Sequence, residues 1–275
     1  MWINKDINLP DKLFTALKDR RLVIFVGAGV SMGIPSKLPD FEQLASEVSL
    51  QVGGHIKKEN GEPIDRYLGR IKKHGPNVNK IVAQIIGNPE SKPTQLHNDL
   101  LSIFDDVSDV RIVTTNFDTH FSSVNSFKNA KQFPEYRAPA LPLGHRFHGI
   151  VYLHGCVDQE PEEMILTDSD FGRAYLTEGW ATRFLQAMFD KYVVLFVGYS
   201  HNDPIMQYLA RGLPPHTERY AFTPHGNEEH WKFLDVQPIF YPLRDGPSSH
   251  KALNEAIEAW SHMNKMGGLL IMIIA

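Results

Sequence analysis

Four apolar runs, far apart along the chain, each stop at small or polar residues. Leu22 to Val26 runs into Gly27-Ala28-Gly29-Val30-Ser31. Val110 to Val113 runs into Thr114-Thr115-Asn116-Phe117-Asp118, and Ile150 to Leu153 into His154-Gly155. Val193 to Val197 runs into Gly198-Tyr199-Ser200-His201-Asn202-Asp203. Short continuous apolar runs are the pattern of strands buried on both faces. Between them apolar residues recur at helical spacing, so the chain reads as an α/β fold with a doubly wound, mainly parallel sheet.

The helical pattern places a helix at Pro10 to Arg20 and another at Lys37 to Gln51. In the second, Asp40 is a plausible N-cap, and Phe41, Leu44, Ala45 and Val48 form one stripe. Residues 53–106 read as all helical, punctuated by Gly53-Gly54, Gly75-Pro76 and Asn88-Pro89. They form a helical insertion between the first two sheet strands of a single domain spanning residues 1–275. Asn125 to His145 reads as an irregular stretch, either a cover over a site or an ordinary surface loop. Further helices are expected at Asp168 to Tyr175, Trp180 to Phe189, Asp203 to Arg211, Glu228 to Leu234 and Ser248 to Met263. Arg219 to Thr223 and Val236 to Tyr241 read as strands. The apolar tail, residues 264–275, reads as an element packed on a core or partner, or as the junction to a further domain.

Composition narrows this picture. The 275 residues carry a net charge of -4 and no long basic block, so direct nucleic-acid binding is not expected. Cys156 is the only cysteine, which excludes an internal disulfide and a four-cysteine zinc site and fits a cytoplasmic setting. The first residues lack an apolar signal core, and no run approaches the ~18 apolar residues of a membrane span.

Ligands of open α/β sheets sit outside the carboxyl ends of the strands. Four strands delivering glycines, an Asn, an Asp and a His to one edge point to a single site, with a nucleotide as its ligand. Gly27, Ala28 and Gly29 permit close backbone approach to a pyrophosphate, and Ser31 offers it a hydroxyl; a tight structural turn is the other reading. The full dinucleotide fingerprint is absent, because Met32 stands where its third glycine belongs. A Gly-Lys-Ser/Thr phosphate loop is absent too. Asn116 is both donor and acceptor but no charged base. Asp118 either orients a ribose or caps the next helix. His154 can take a proton near neutral pH, or be a satisfied structural histidine. His145, His148 and His154 raise a metal site, against which stand the single cysteine and the lack of an acidic partner in the run.

Together the four motifs, from about Arg21 to Thr223, resemble the catalytic domain of sirtuins. They look closer still to the sirtuin-like domains of bacterial antiphage defence proteins. The resemblance implies a Rossmann-like fold that binds NAD as substrate. It matches Gly27, Ala28, Gly29 and Ser31 to the phosphate loop, and Asn116 and Asp118 to the residues beside the nicotinamide ribose. His154 matches the catalytic histidine. Gly198, Tyr199 and Ser200 match the segment on the adenosine side. Deacylating sirtuins usually carry a zinc module with two Cys-x-x-Cys pairs, which this chain cannot build, and Thr115 stands where many have Gln. These departures look like the defence branch, whose members hydrolyse NAD to nicotinamide and ADP-ribose. The alternatives are an NAD or ADP-ribose sensing module, an ADP-ribosyl transferase or cyclase, and a protein deacylase. By the same resemblance the expected partners are further copies of the chain and an ATPase or Argonaute-like protein.

Overall fold

The computed structural model describes residues 1–125, 133–142, 147–200, 217–226, 228–244, 246 and 249–274, with the side chains of 125 and 264–274 excepted. The strands are β1 (Leu22–Val26), β2 (Arg111–Thr114), β3 (Glu135–Arg137), β4 (Gly149–Tyr152), β5 (Val193–Val197), β6 (Arg219–Pro224) and β7 (Gln237–Tyr241). Among the described residues they form one sheet in the order β3-β4-β2-β1-β5-β6-β7, and every pairing is parallel. This is an α/β, Rossmann-like arrangement. From β1 the chain goes to β2 on one side and later to β5 on the other. The switch point of the sheet therefore lies between β1 and β5.

The apolar runs are explained by burial on both faces. Every residue of β1, β2, β4 and β5 is buried. Successive side chains point to opposite faces. Leu22, Ile24, Val26, Ile112, Ile150 and Leu195 enter one core; Val23, Phe25, Val113, Val151, Val194 and Phe196 enter the other. The first face is covered by α1 (Asp11–Lys18), α5 (Gln95–Ser102), α6 (His120–Asn125) and the start of α10 (Lys251–Ile274). The second is covered by α7 (Asp168–Gly172), through Phe171, with α8 (Trp180–Phe189) and α9 (Glu228–Phe233). A third apolar cluster joins α2 (Phe41–Gln51), α3 (Ile64–Lys73) and α4 (Val78–Ile86) to Phe117, Met164 and Leu166. It stands beside the carboxyl edge of the sheet.

Several boundaries differ from the sequence reading. The helix expected from Lys37 begins at Phe41, because Asp40 closes a capping box: its carboxylate accepts the Gln43 N–H at 2.8 Å, and the Gln43 side chain accepts the Asp40 N–H at 3.1 Å. Residues 53–106 hold three helices with non-helical stretches between them. α5 packs on the sheet through Leu96, Leu100 and Leu101, apart from the α2–α4 cluster. The stretch expected to be irregular contains the edge strand β3. The last helix runs through Gly267-Gly268 to Ile274. The helix expected at Asp203 to Arg211 lies outside the described residues, as do Ser248 and, within 125–145, residues 126–132 and 143–145, His145 included. Among the described residues no helix is long and apolar enough to cross a membrane.

Candidate functional site

The β1 and β5 loops interlock. The Gly27 N–H donates to Val197 O at 2.9 Å and the Gly29 N–H to Gly198 O at 3.0 Å. A Cβ on Gly27 would stand 2.8 Å from Gly198 O and 2.9 Å from the Tyr199 ring. Gly198 itself has φ +76, and a Cβ there would stand 2.9 Å from Gly27 O. In this structure the space left by the missing side chains is filled by the chain itself. Tyr199 completes the closure: its hydroxyl donates to Val26 O at 3.1 Å and lies 2.6 Å from the Thr115 hydroxyl, tying the ends of β1, β2 and β5 together. Ser200 is exposed.

Beside this seam lies a cleft of about 680 Å³, open solvent at its mouth included. Ala28, Ser31, Asn116, Asp118 and His154 line it together with Thr115. The carboxyl ends of β1, β2 and β4 thus deliver their expected residues to one place. Gly27, Gly29, Gly198, Tyr199 and Ser200 stay outside the lining. The rest of the lining is mainly apolar: Leu38, Phe41 and Leu44 from the α2 side, with Phe117, Ile165 and Phe171. An apolar lining with a few converging polar groups is the usual make-up of a small-molecule site.

The polar floor is a connected network. Asn116 Nδ2 donates to Gly27 O and to Ser31 Oγ, both at 3.2 Å. Ser31 Oγ donates to Asp118 Oδ2 at 2.8 Å. The other Asp118 oxygen accepts the His120 N–H at 3.0 Å, at the start of α6. The capping role of Asp118 is therefore real, and the same carboxylate also anchors Ser31. Behind Ser31 stands His97 of α5, fully buried, with Nε2 3.3 Å from Ser31 Oγ.

Residues 110–239 match the family model described as "SIR2-like domain". Just under half of the chain is thus similar to SIR2-like domains. The match includes Asn116, Asp118, His154 and Gly198 to Ser200, while the Gly27 to Ser31 loop precedes it. The chain is also 28% identical over 270 aligned residues to "Uncharacterized protein y4cA" of Sinorhizobium fredii (strain NBRC 101917 / NGR234), covering 87% of this chain and 22% of that protein. It thus spans about a fifth of that relative's length. Domains of that description are generally NAD-dependent enzyme folds.

Within the matched region His154 is boxed in. Its Nε2 lies 2.9 Å from the Tyr175 hydroxyl, and the Phe171 ring meets it edge-on at 5.0 Å between centroids. Burial holds its pKa down to about 3, so the imidazole is uncharged near neutral pH. Nδ1 takes no hydrogen bond from the described residues and is not a buried orphan. It is the nitrogen left for a ligand.

Reading the sequence missed His97 and His120. His97 is also held neutral, with its pKa near 4, mainly by burial and against the pull of Asp118. His120 is lowered by burial too, and its Nε2 sits between the hydroxyls of Ser36 at 2.8 Å and Ser91 at 2.9 Å. His97 bonds Thr94 three residues back, but its link to the cleft, Ser31, lies 66 positions away, and the hydroxyls on His120 lie 84 and 29 positions away, so nothing local marks either residue. Among the described residues no group of three or more His, Cys, Asp or Glu side chains could hold a metal ion.

Proposed function

We propose that this domain hydrolyses NAD, cleaving the nicotinamide–ribose bond to give nicotinamide and ADP-ribose. One observation carries the reading: an uncharged histidine, an asparagine and a serine–aspartate pair, brought from three strand ends, line one cleft whose remaining lining is mainly apolar. The apolar lining suits a flat ring and the polar floor suits a ribose. The bond breaks with its electron pair leaving on the nicotinamide nitrogen, so the leaving group departs neutral and positive charge builds on the sugar.

The residues then have separate tasks. A neutral His154 adds no positive charge beside a sugar that is becoming cationic. Its Nδ1 accepts the proton of the attacking water or of a ribose hydroxyl, a contribution typically worth about 10²–10⁴-fold. Asn116 holds that water or the ribose in line. The test measures nicotinamide release from NAD by wild type, His154→Ala and Asn116→Ala, with circular dichroism reporting the fold. Loss of turnover in both variants with the fold kept supports the reading; full activity in either overturns its role.

By resemblance to the defence branch, the wider role we propose is NAD depletion as an effector of bacterial antiphage defence. The domain would act as an oligomer or with a partner such as an ATPase or Argonaute-like protein. Such an enzyme needs an off state, and the boxed, weakly basic His154 is compatible with one.

The same weak basicity favours a second reading, a module that binds NAD or ADP-ribose without chemistry. Calorimetric binding of NAD with no nicotinamide released would establish it. Product identification separates hydrolysis from cyclisation and ADP-ribosyl transfer, and an acyl-lysine peptide tests deacylation.

A further inference from the structure

Three hydrogen bonds converge on Ser31 and saturate it. A hydroxyl donates once and accepts twice. Asp118 is an acceptor, so the Ser31 proton points there at 2.8 Å. Asn116 Nδ2 donates to Ser31 Oγ, because its other contact, Gly27 O, accepts only. The remaining acceptor position faces His97 Nε2 at 3.3 Å.

The tautomer of His97 follows from its other side. Nδ1 lies 3.1 Å from the Thr94 N–H, a donor only, so Nδ1 accepts and the ring proton sits on Nε2. The Thr94 hydroxyl, 2.8 Å from Nδ1, also reaches Val30 O at 3.2 Å. Donation therefore runs one way: Thr94 N–H to His97, His97 to Ser31, Ser31 to Asp118. Asn116 has both amide protons engaged by Gly27 O and Ser31, which leaves its carbonyl oxygen for the cleft.

We infer that His97 is a positioning residue: from α5 it sets the Ser31 hydroxyl, and through Ser31 it keeps the Asn116 side chain with its carbonyl oxygen turned to the substrate. In this arrangement Ser31 holds the floor of the site and has no free donor for a phosphate. His97 touches no ligand itself. Asn116 acts as an acceptor, aligning an O–H of water or ribose.

The inference deepens the NAD-hydrolase reading and rests on it for its kinetic arm, so the test has two arms. The first needs no activity. Long-range proton–nitrogen NMR of the wild-type chain should find His97 neutral and protonated on Nε2 at neutral pH; protonation on Nδ1 overturns the inference. The second compares His97→Asn, which lacks the donor toward Ser31, with His97→Gln, whose terminal amide reaches the position of Nε2. His97→Asn should lower kcat by about tenfold to hundredfold with KM for NAD changed by less than about threefold. His97→Gln should recover most of that loss. Equal kcat in folded His97→Asn and wild type overturns the inference, as does equal loss in both variants. If wild type releases no nicotinamide, the hydrolase reading fails alone, and the tautomer still decides the hydrogen-bond assignment.

Discussion

The Tyr175 hydroxyl lies 2.9 Å from His154 Nε2, and this contact ties the end of β4 to the π-helical segment Arg173–Thr177. π turns interrupt helices at a cost and recur at functional sites. Here the turn carries Tyr175 into reach of the imidazole. If Nδ1 is the working nitrogen, Nε2 must hold the ring proton and give it to Tyr175. Tyr175→Phe keeps the stacking on Phe171, whose ring lies 5.8 Å away, and removes the hydroxyl that accepts from Nε2. Nicotinamide release should then fall about tenfold, with KM nearly unchanged. A rise in activity would instead make Tyr175 a latch on Nε2.

Buried neutral histidines give the fold an acid limit, His97 and His154 foremost. His97 and His154 titrate near 4 and 3 in the folded chain, below the ordinary 6.5. As pH falls below 6.5 the unfolded chain binds protons that the folded chain refuses. The stability is whole above 6.5 and drains away as pH falls toward those folded values. Each group contributes a slope of up to ~1.4 kcal/mol per pH unit in that window. Urea unfolding at neutral pH and at about pH 5 should show the loss, and His154→Asn should make the dependence shallower by about one group's share. An unchanged slope would mean that His154 is not buried in neutral form.

The seam between β1 and β5 predicts which glycines are irreplaceable. Gly198→Ala meets both a positive φ and a Cβ 2.9 Å from Gly27 O. It should destabilise by about 1–3 kcal/mol. Gly33→Ala meets nothing within 4 Å and should be close to neutral. Urea midpoints of the two variants decide it. Comparable loss in both would show that the loops do not interlock as described.

What could be read from the sequence follows from where each element is buried. Runs such as Leu22–Val26 and Val193–Val197 were legible because strands covered on both faces have no polar positions. Asp40 was legible as a cap because its partner, Gln43, is three residues away. The edge strand β3 was not: Glu135, Tyr136 and Arg137 are all half-buried, and three residues carry no period. The convergence of Asn116, Asp118, Ser31 and His154 on one cleft was legible from their strand ends. His97 and His120 were not, because a histidine inside a helical pattern looks like any polar position. Its worth is set by Ser31, 66 residues earlier, or by Ser36, 84 residues earlier.

Ser31 separates two accounts of the loop after β1. If its hydroxyl binds a phosphate of the substrate, Ser31→Ala should raise KM for NAD and leave kcat largely intact. If it is the hub of the buried network, the same variant removes the donor to Asp118 and the shared acceptor of Asn116 and His97. Buried polar groups left without partners cost about 1–3 kcal/mol, so stability should drop by that order. The Asn116 amide would keep only Gly27 O and could rotate, so kcat should fall at least about tenfold while KM moves little. Ser31→Cys is the useful companion. It keeps a weak donor and acceptor at the same place and should lie between wild type and Ser31→Ala in kcat. Steady-state nicotinamide release by the three proteins, with urea midpoints beside it, distinguishes the accounts: a KM effect alone returns Ser31 to the phosphate, and a joint loss of kcat and stability assigns it to the floor of the site.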